Sequence, residues 1–158
     1  KLLKNFQINR NWFGVKDLDS VDLKKMYSSF LTYAPPSKFV YKLNKNEDHR
    51  GYFTEFLRMG NGGQISYFSI KKGKTRGMHY HHTKIEKFLI LKGKAKFEFK
   101  NLINSKIRSY ILSENDHKVI ETIPGWIHSI KNIGKETVFG IIWANEEFKI
   151  SKPDTYYA

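Results

Sequence analysis

The chain has no cysteine among its 158 residues, which excludes disulfides and thiolate-ligated zinc and agrees with a reducing compartment. No apolar run approaches the roughly 18 residues a membrane-crossing helix needs, and no signal-peptide pattern opens the chain. The expectation is a cytoplasmic protein with no membrane partner. Acidic residues are scarce, 15 against 28 lysines and arginines, for a net charge of +13. Such a balance draws anions, whether nucleic acid, acidic lipid or phosphorylated small molecules. The lysines are spread almost evenly from Lys1 to Lys152, a compositional bias and not a patch, so nucleic acid is not expected as a partner. An initiating methionine is also missing, and Lys1 opening abruptly suggests a cut piece of a longer polypeptide.

What is present is enough for a core. Hydrophobic residues make up 40% and aromatics 15%, the composition of a folded chain, and the length suits one domain plus an appendage. Residues 1–17 carry few signals beyond Trp12 and Phe13 and read as an arm. From Asp19-Ser20 the segment SVDLKKMYSSFLTY reads as a helix, with Ser20 or Asp19 as its N-cap. Its apolar stripe of Val21, Leu23, Met26, Tyr27, Phe30 and Leu31 is expected to pack on the rest of the fold, and Pro35-Pro36 ends it. Beyond the prolines the period changes to two. Strands are expected near 39–43, 52–59, 64–70, 86–91, 95–100, 108–112, 118–122, 126–131 and 137–143. In KAKFEFK, Ala95, Phe97 and Phe99 share one face and the charged residues the other, as a barrel wall requires. Gly60 to Gly63 and Asn101 to Ser105 read as hairpin turns, and the tail from Trp143 to Ala158 as a cover for a sheet edge or a partner subunit. The division expected is an arm and helix over 1–36 and a barrel over 37–158.

The stretch GKTRGMHYHHTKIEKFLILKG, Gly73 to Gly93, carries the chemistry. His79 and His81, one residue apart on a strand, share a face, and Glu86 can return to that face after a tight excursion. Two nitrogens and one oxygen then converge, a donor set suited to zinc or another divalent first-row metal. A fourth donor is available in IPGWIHSIKN, where His128 follows the turn at Pro124-Gly125. A second constellation is Asp48-His49-Arg50-Gly51-Tyr52. Arginine's planar fork suits phosphate oxygens, although Asp48 and Arg50 could equally pair with each other across the turn.

The first histidine stretch matches the first motif of the cupins residue for residue, and the second resembles their second motif. In the second, Pro124 stands directly before Gly125, where the family usually places it two residues earlier. The resemblance implies an all-β fold, the cupin double-stranded β-helix or jelly-roll barrel, with an N-terminal helical appendage. Asp48-x-Arg50-Gly51 ahead of a barrel strand is similar to the cupin epimerases and ketoisomerases of nucleotide-linked 4-keto-6-deoxy sugars, whose arginine contacts the diphosphate. DHRGYFTEF, HYHHTKIEKFL, WANEEF and PDTYY together resemble the carboxy-terminal domain of the CapF-type bifunctional capsular-polysaccharide enzymes. That resemblance implies C3 epimerisation of a UDP-2-acetamido-2,6-dideoxy-4-keto-hexose on the way to N-acetyl-L-fucosamine. It also implies Zn2+ or another divalent transition metal at His79, His81, Glu86 and His128, and an N-terminal short-chain reductase domain using NADPH that this chain lacks. The Tyr-x3-Lys matches at Tyr41/Lys45 and Tyr67/Lys71 have no Gly-rich strand-to-helix turn upstream and do not mark that reductase.

Histidines bound to metal cannot serve as free bases, so the proton or the enolate is expected to be handled by Lys84, Lys87 or His82. Arg50, Asp48 and Tyr52 are the expected substrate contacts, although His49 stands where the epimerases commonly carry an acid. A homodimer is expected from the exposed sheet edges. Two other readings stay open: a metal cupin oxygenase or isomerase, which needs iron or manganese and an open coordination position, and a non-catalytic sugar-binding or dimerising module whose metal only stabilises the barrel.

Overall fold

The computed structural model describes residues 1–11, 14, 18 and 20–158. Trp12 and Phe13, and Asp19 as an alternative cap, lie outside the described residues. Helix α1 spans Leu2–Asn11 and α2 Val21–Thr32. The hydroxyl of Ser20 caps α2 by accepting from the backbone N–H of Leu23 at 3.1 Å, which satisfies one of the orphan donors of the first turn. Leu2–Asn11 of the segment expected as an arm is helical. Its reason is Phe6, 1% exposed, whose ring meets Tyr27 at 5.1 Å and Phe30 at 5.8 Å. Part of the α2 stripe thus finds its partner in α1, while Val21 and Met26 stay exposed. Among the described residues no helix is long and apolar enough to cross a membrane.

Eleven strands follow among the described residues: β1 Asn46–Asp48, β2 Gly51–Arg58, β3 Gln64–Ile70, β4 Thr75–Tyr80, β5 Glu86–Lys92, β6 Lys94–Asn101, β7 Ile107–Ser113, β8 Val119–Glu121, β9 Trp126–Asn132, β10 Val138–Ala144 and β11 Tyr156–Tyr157. They form a six-stranded sheet, β1-β2-β3-β10-β5-β8, and a five-stranded sheet, β11-β4-β9-β6-β7. Pairing within both is antiparallel. This is the jelly-roll arrangement expected. The inward faces meet in one core, with Phe68, Ile70, Phe88 and Ile90 from the first sheet and Ala95, Phe97, Phe99 and Ile130 from the second. Burying a side chain of the Ile or Phe class contributes about 1.5–3 kcal/mol, so this shared layer outweighs the local propensities of the short strands.

Two departures from the sequence reading matter. The segment near 39–43 is irregular, and Phe39, Val40 and Tyr41 are exposed. It has apolar residues but no strand to pair with. Instead Arg10 of α1 donates to the carbonyl of Lys38 and lies over the ring of Tyr41. Conversely, β4, with sequence TRGMHY, is a strand that hydrophobic alternation does not announce. The tail does cover a sheet edge: β11 pairs with β4 through Tyr156↔Tyr80 and Tyr157↔His79.

Candidate metal centre

His79 and His128 are cross-strand partners on β4 and β9, and their ring centroids lie 4.6 Å apart. That pairing depends on a bulge. Gly77 pairs with Ser129 and His79 with the very next residue, His128, so Met78 is an extra residue on β4. Both bulge residues take positive φ, 90° at Gly77 and 64° at Met78. A Cβ on Gly77 would stand 2.7 Å from the carbonyl oxygen of His128, so only glycine lets the strands approach there. Without the bulge, Arg76 and His79, three residues apart, would face opposite sides of the sheet. With it, Arg76 pairs with inward-facing Ile130, His79 pairs with inward-facing His128, and both line the interior.

His81 and Glu86 flank the excursion 82–85. The carboxylate of Asp154 gathers this loop: Oδ1 accepts from the backbone N–H of His82 at 3.0 Å, and Oδ2 accepts from the N–H groups of Thr83 and Lys84 at 2.9 and 2.8 Å and from the Thr83 hydroxyl at 3.0 Å. Burial works against the charge on Asp154, but the backbone donors of Thr83, His82 and Lys84 prevail and hold its carboxyl well below the usual range. The backbone N–H of Glu86 is fixed by the hydroxyl of Thr122 at 2.9 Å.

The donor atoms of His79, His81, Glu86 and His128 all lie within 4.8 Å of one another. Glu86 Oε2 is 3.3 Å from Nε2 of both His81 and His128. Tetrahedral zinc with bonds of about 2.0–2.2 Å has donor-to-donor edges of about 3.3–3.6 Å, which the two distances from Glu86 match. The chemistry of the donors also fits. His81, His128 and Glu86 are 2%, 5% and 9% exposed, and the Nε2 atoms of both histidines are buried with no hydrogen-bond partner. Two orphaned ring nitrogens around a buried carboxylate are costly unless a cation joins them. Burial first, and then the neighbouring His128, pull the pKa of His79 down to about 4, so at neutral pH it too offers a lone pair. The four residues fit a divalent metal.

Two cavities meet at this cluster, and His79, Glu86, Phe53 and Ile142 line both. One, of about 320 Å³, includes His81, Lys84, Ser66 and Thr155. The other, of about 230 Å³, includes His128, Arg50, Arg76 and Tyr157. Arg50 does pair with Asp48, through Nη2 at 2.6 Å and Nε at 3.0 Å, and Arg76 Nη2 reaches the same carboxylate at 3.4 Å. The Arg50 hydrogen bonds hold the Asp48 carboxyl well below its ordinary range. One carboxylate therefore orients two guanidiniums, and their combined charge toward the cavity stays positive. Gly51 is required in this turn, because a Cβ there would stand 2.4 Å from the carbonyl oxygen of Ser69.

Of the expected proton carriers, only Lys84 lines a cavity with the cluster. It is 6% exposed, and its Nζ donates to the carbonyl of Pro153 at 2.9 Å and to Thr155 Oγ1 at 3.0 Å. Lys87 lies one residue from Glu86 on β5, so its side chain faces the other side of the sheet. Its Nζ sits 3.6 Å from Glu121 and 5.9 Å above the Trp143 ring. His82 is exposed, with its ring against Tyr156 at 4.5 Å. Tyr52 packs on Tyr67 and Phe139 and lines neither cavity. Arg76, Asp154, Thr155 and Tyr157 were not among the expected site residues. Gly77 preceding the histidine pair is the one local signal for Arg76, whereas the tail residues stand out only within PDTYY, a motif that carries the family resemblance without pointing to the site.

Residues 46–156 match the family described as polysaccharide biosynthesis C-terminal domain. The chain is 40% identical over 154 residues to a UDP-2-acetamido-2,6-beta-L-arabino-hexul-4-ose reductase of Pseudomonas aeruginosa, covering 98% of this chain but only 41% of that protein. It superposes on the capsular polysaccharide assembling protein CapF of Staphylococcus aureus with a TM-score of 0.93 and 38% identity, over 99% of this chain and 42% of that one. The cupin domain of Drosophila melanogaster CENP-C shares the fold alone, with a TM-score of 0.56 and 16% identity over 65% of this chain and 75% of that one. A barrel of cupin architecture, matched along nearly its whole length by CapF, assigns this chain to the polysaccharide biosynthesis C-terminal domain family, as a CapF-like carboxy-terminal domain.

Proposed function

We propose that this chain is the epimerase part of a cytoplasmic nucleotide-sugar enzyme. It inverts C3 of a UDP-2-acetamido-2,6-dideoxy-4-keto-hexose during surface-polysaccharide synthesis, with N-acetyl-L-fucosamine as the downstream sugar. The barrel unit is taken as 37–158, its strands beginning at Asn46, and 1–36 as an appendage. The observation that carries the reading is the meeting of His79, His128 and Glu86 of the four-donor cluster with Arg50 and Arg76, the two guanidiniums that Asp48 binds, at a single cavity. A sugar diphosphate presents those two needs together: an anion to hold and a ketone to polarise. The relative from Pseudomonas is named a reductase of a UDP-linked hexulose. Since this chain spans less than half of it and carries no dinucleotide fingerprint, the NADPH-dependent reduction belongs to the portion outside the match.

The ketone at C4 acidifies the hydrogen at C3, so inversion needs a proton taken from one face and returned to the other. Arg50 and Arg76, oriented by Asp48, bind the diphosphate and fix the sugar's direction in the cavity. His79, His81, Glu86 and His128 would hold Zn2+ or a similar divalent ion, which when bound supplies Lewis-acid polarisation of the C4 carbonyl. Lys84, buried in the wall of the cavity that Glu86 also lines, stabilises the negative charge that develops on the carbonyl oxygen or carries the proton. Phe53 and Ile142, at the junction of the two cavities, exclude water from the reacting carbon. Edge strand β7 offers the expected homodimer a surface, with Tyr110 and Ile111 exposed.

The test is solvent deuterium incorporation at C3 of the UDP-4-keto sugar by the zinc-loaded chain. Exchange that stops on chelation and returns with zinc is expected. Tight zinc binding with no exchange at C3 would favour a second reading, a metal that only stabilises the barrel, which the count of four protein donors supports.

A further inference from the structure

We propose that Asp154 is a positioning residue of the metal centre, and that the carboxy-terminal segment Pro153–Tyr157 completes the site by fixing His81 in the tautomer that presents Nε2 to the cluster. The inference rests on the reading that the cluster holds a divalent metal, but not on the reaction proposed for it.

His81 Nδ1 lies 2.6 Å from the main-chain carbonyl oxygen of Asp154. A carbonyl only accepts, so the ring nitrogen facing it must carry the proton. In a neutral imidazole that leaves Nε2 as a bare lone pair. Nε2 is the atom that stands 3.3 Å from Glu86 and has no hydrogen-bond partner. One contact from the tail therefore settles both the tautomer and the orientation of the ring, the usual task of an outer partner to a ligating histidine.

The carbonyl is itself held in place. Asp154 adopts a φ of 33°, a conformation that few residues other than glycine, asparagine and aspartate occupy readily. The carboxylate's four hydrogen bonds to residues 82–84 anchor the turn in that conformation. The same side chain thus grips the loop leaving His81 while its backbone grips the ring. The neighbouring tail residues extend the arrangement. Pro153 and Thr155 accept from Lys84 Nζ, and Tyr157 lines the arginine cavity with its ring 5.9 Å from that of His79. No comparable tail contact is needed at His128, which the strand ladder already holds.

The test uses the metal-free chain labelled with 15N and, separately, titration with Zn2+ and Co2+ against a competing chelator. Long-range 1H–15N correlation is expected to show His81 in the wild type as the Nδ1–H tautomer. Asp154→Ala should move His81 toward the Nε2–H form that free imidazole prefers, weaken zinc binding by about 10–100-fold and alter the visible spectrum of the Co2+ form. Asp154→Asn keeps one acceptor oxygen and tolerates the same φ, and is expected to retain the wild-type tautomer with a smaller loss. A purely structural role would lower the melting temperature and leave the tautomer alone, and that outcome overturns the proposal. So does a wild-type His81 protonated on Nε2, a measurement that needs no variant to fold. Zinc affinity of Asp154→Ala within twofold of wild type would equally defeat it. Failure of C3 exchange with the tautomer as expected would count against the epimerase reading alone.

Discussion

The candidate metal centre is held by two different means. His79 and His128 take their places from the register of β4 against β9, so their geometry is as firm as the sheet. His81 lies just past the end of β4: its carbonyl accepts from the backbone N–H of Gly125 at 3.1 Å, while its ring and the loop that follows are held by Asp154, more than 70 positions away. Donors that look equivalent in the sequence thus rest on unequal supports. The ladder half is tied to global folding, whereas the tail half can loosen locally, as segments with few buried apolar contacts do.

The harshest way to probe the difference is to remove a donor from each half. Structural zinc sites bind with about 10–16 kcal/mol spread over four ligands, so His128→Ala or His81→Ala should each weaken zinc binding by roughly 100–1,000-fold. Equal losses in a chelator competition would show that the halves contribute equally once formed and differ only in how they are formed. Next comes Gly77→Ala, which attacks the ladder alone. It forces a side chain into a positive-φ position against the His128 carbonyl, and a destabilisation of about 2–4 kcal/mol is expected in denaturant unfolding, with zinc affinity falling as well.

Acid should separate the halves more gently. The pKa of His79 falls from 6.5 unfolded to about 4 folded, so the unfolded chain binds the extra proton between those values. The stability contributed by keeping His79 neutral is present above about pH 6.5 and is lost as pH falls toward 4. It amounts to at most about 3–4 kcal/mol, less after solvent screening. Urea midpoints of the metal-free chain measured across that window should decline, and His79→Gln should flatten the decline. The smallest effect is expected from Lys87→Ala. That side chain pairs with Glu121 on the outer face, and such exposed pairs contribute under about 1 kcal/mol. A loss of C3 exchange beyond twofold in this variant would break the assignment of inner and outer faces on β5.

How far the sequence announced this follows the same division. The jelly roll and the core face of Ala95, Phe97 and Phe99 were legible because alternation repeats over many residues. The four donors were legible because their spacing is fixed within two short stretches. Arg76 was hidden, since counting by twos from His79 turns it outward and only a bulge restores it. Asp154 and Tyr157 were hidden for another reason: PDTYY marks the resemblance, but no spacing or alternation within it says that its aspartate caps a loop 70 positions away. Lys87 and Tyr52 failed in the opposite direction. Proximity in sequence suggested them, and strand alternation sent their side chains to the outer surface. The helix α1 was missed because its one decisive residue, Phe6, acquires meaning only against Tyr27 and Phe30.

The bulge at Met78 has an effect out of proportion to its size. Losing that single residue would put β4 back in step, and then either the guanidinium of Arg76 or the imidazole of His79 must turn to water. A one-codon deletion there would trade the cavity's anion-attracting wall against its metal donor, so the length of this strand is itself part of the site's chemistry.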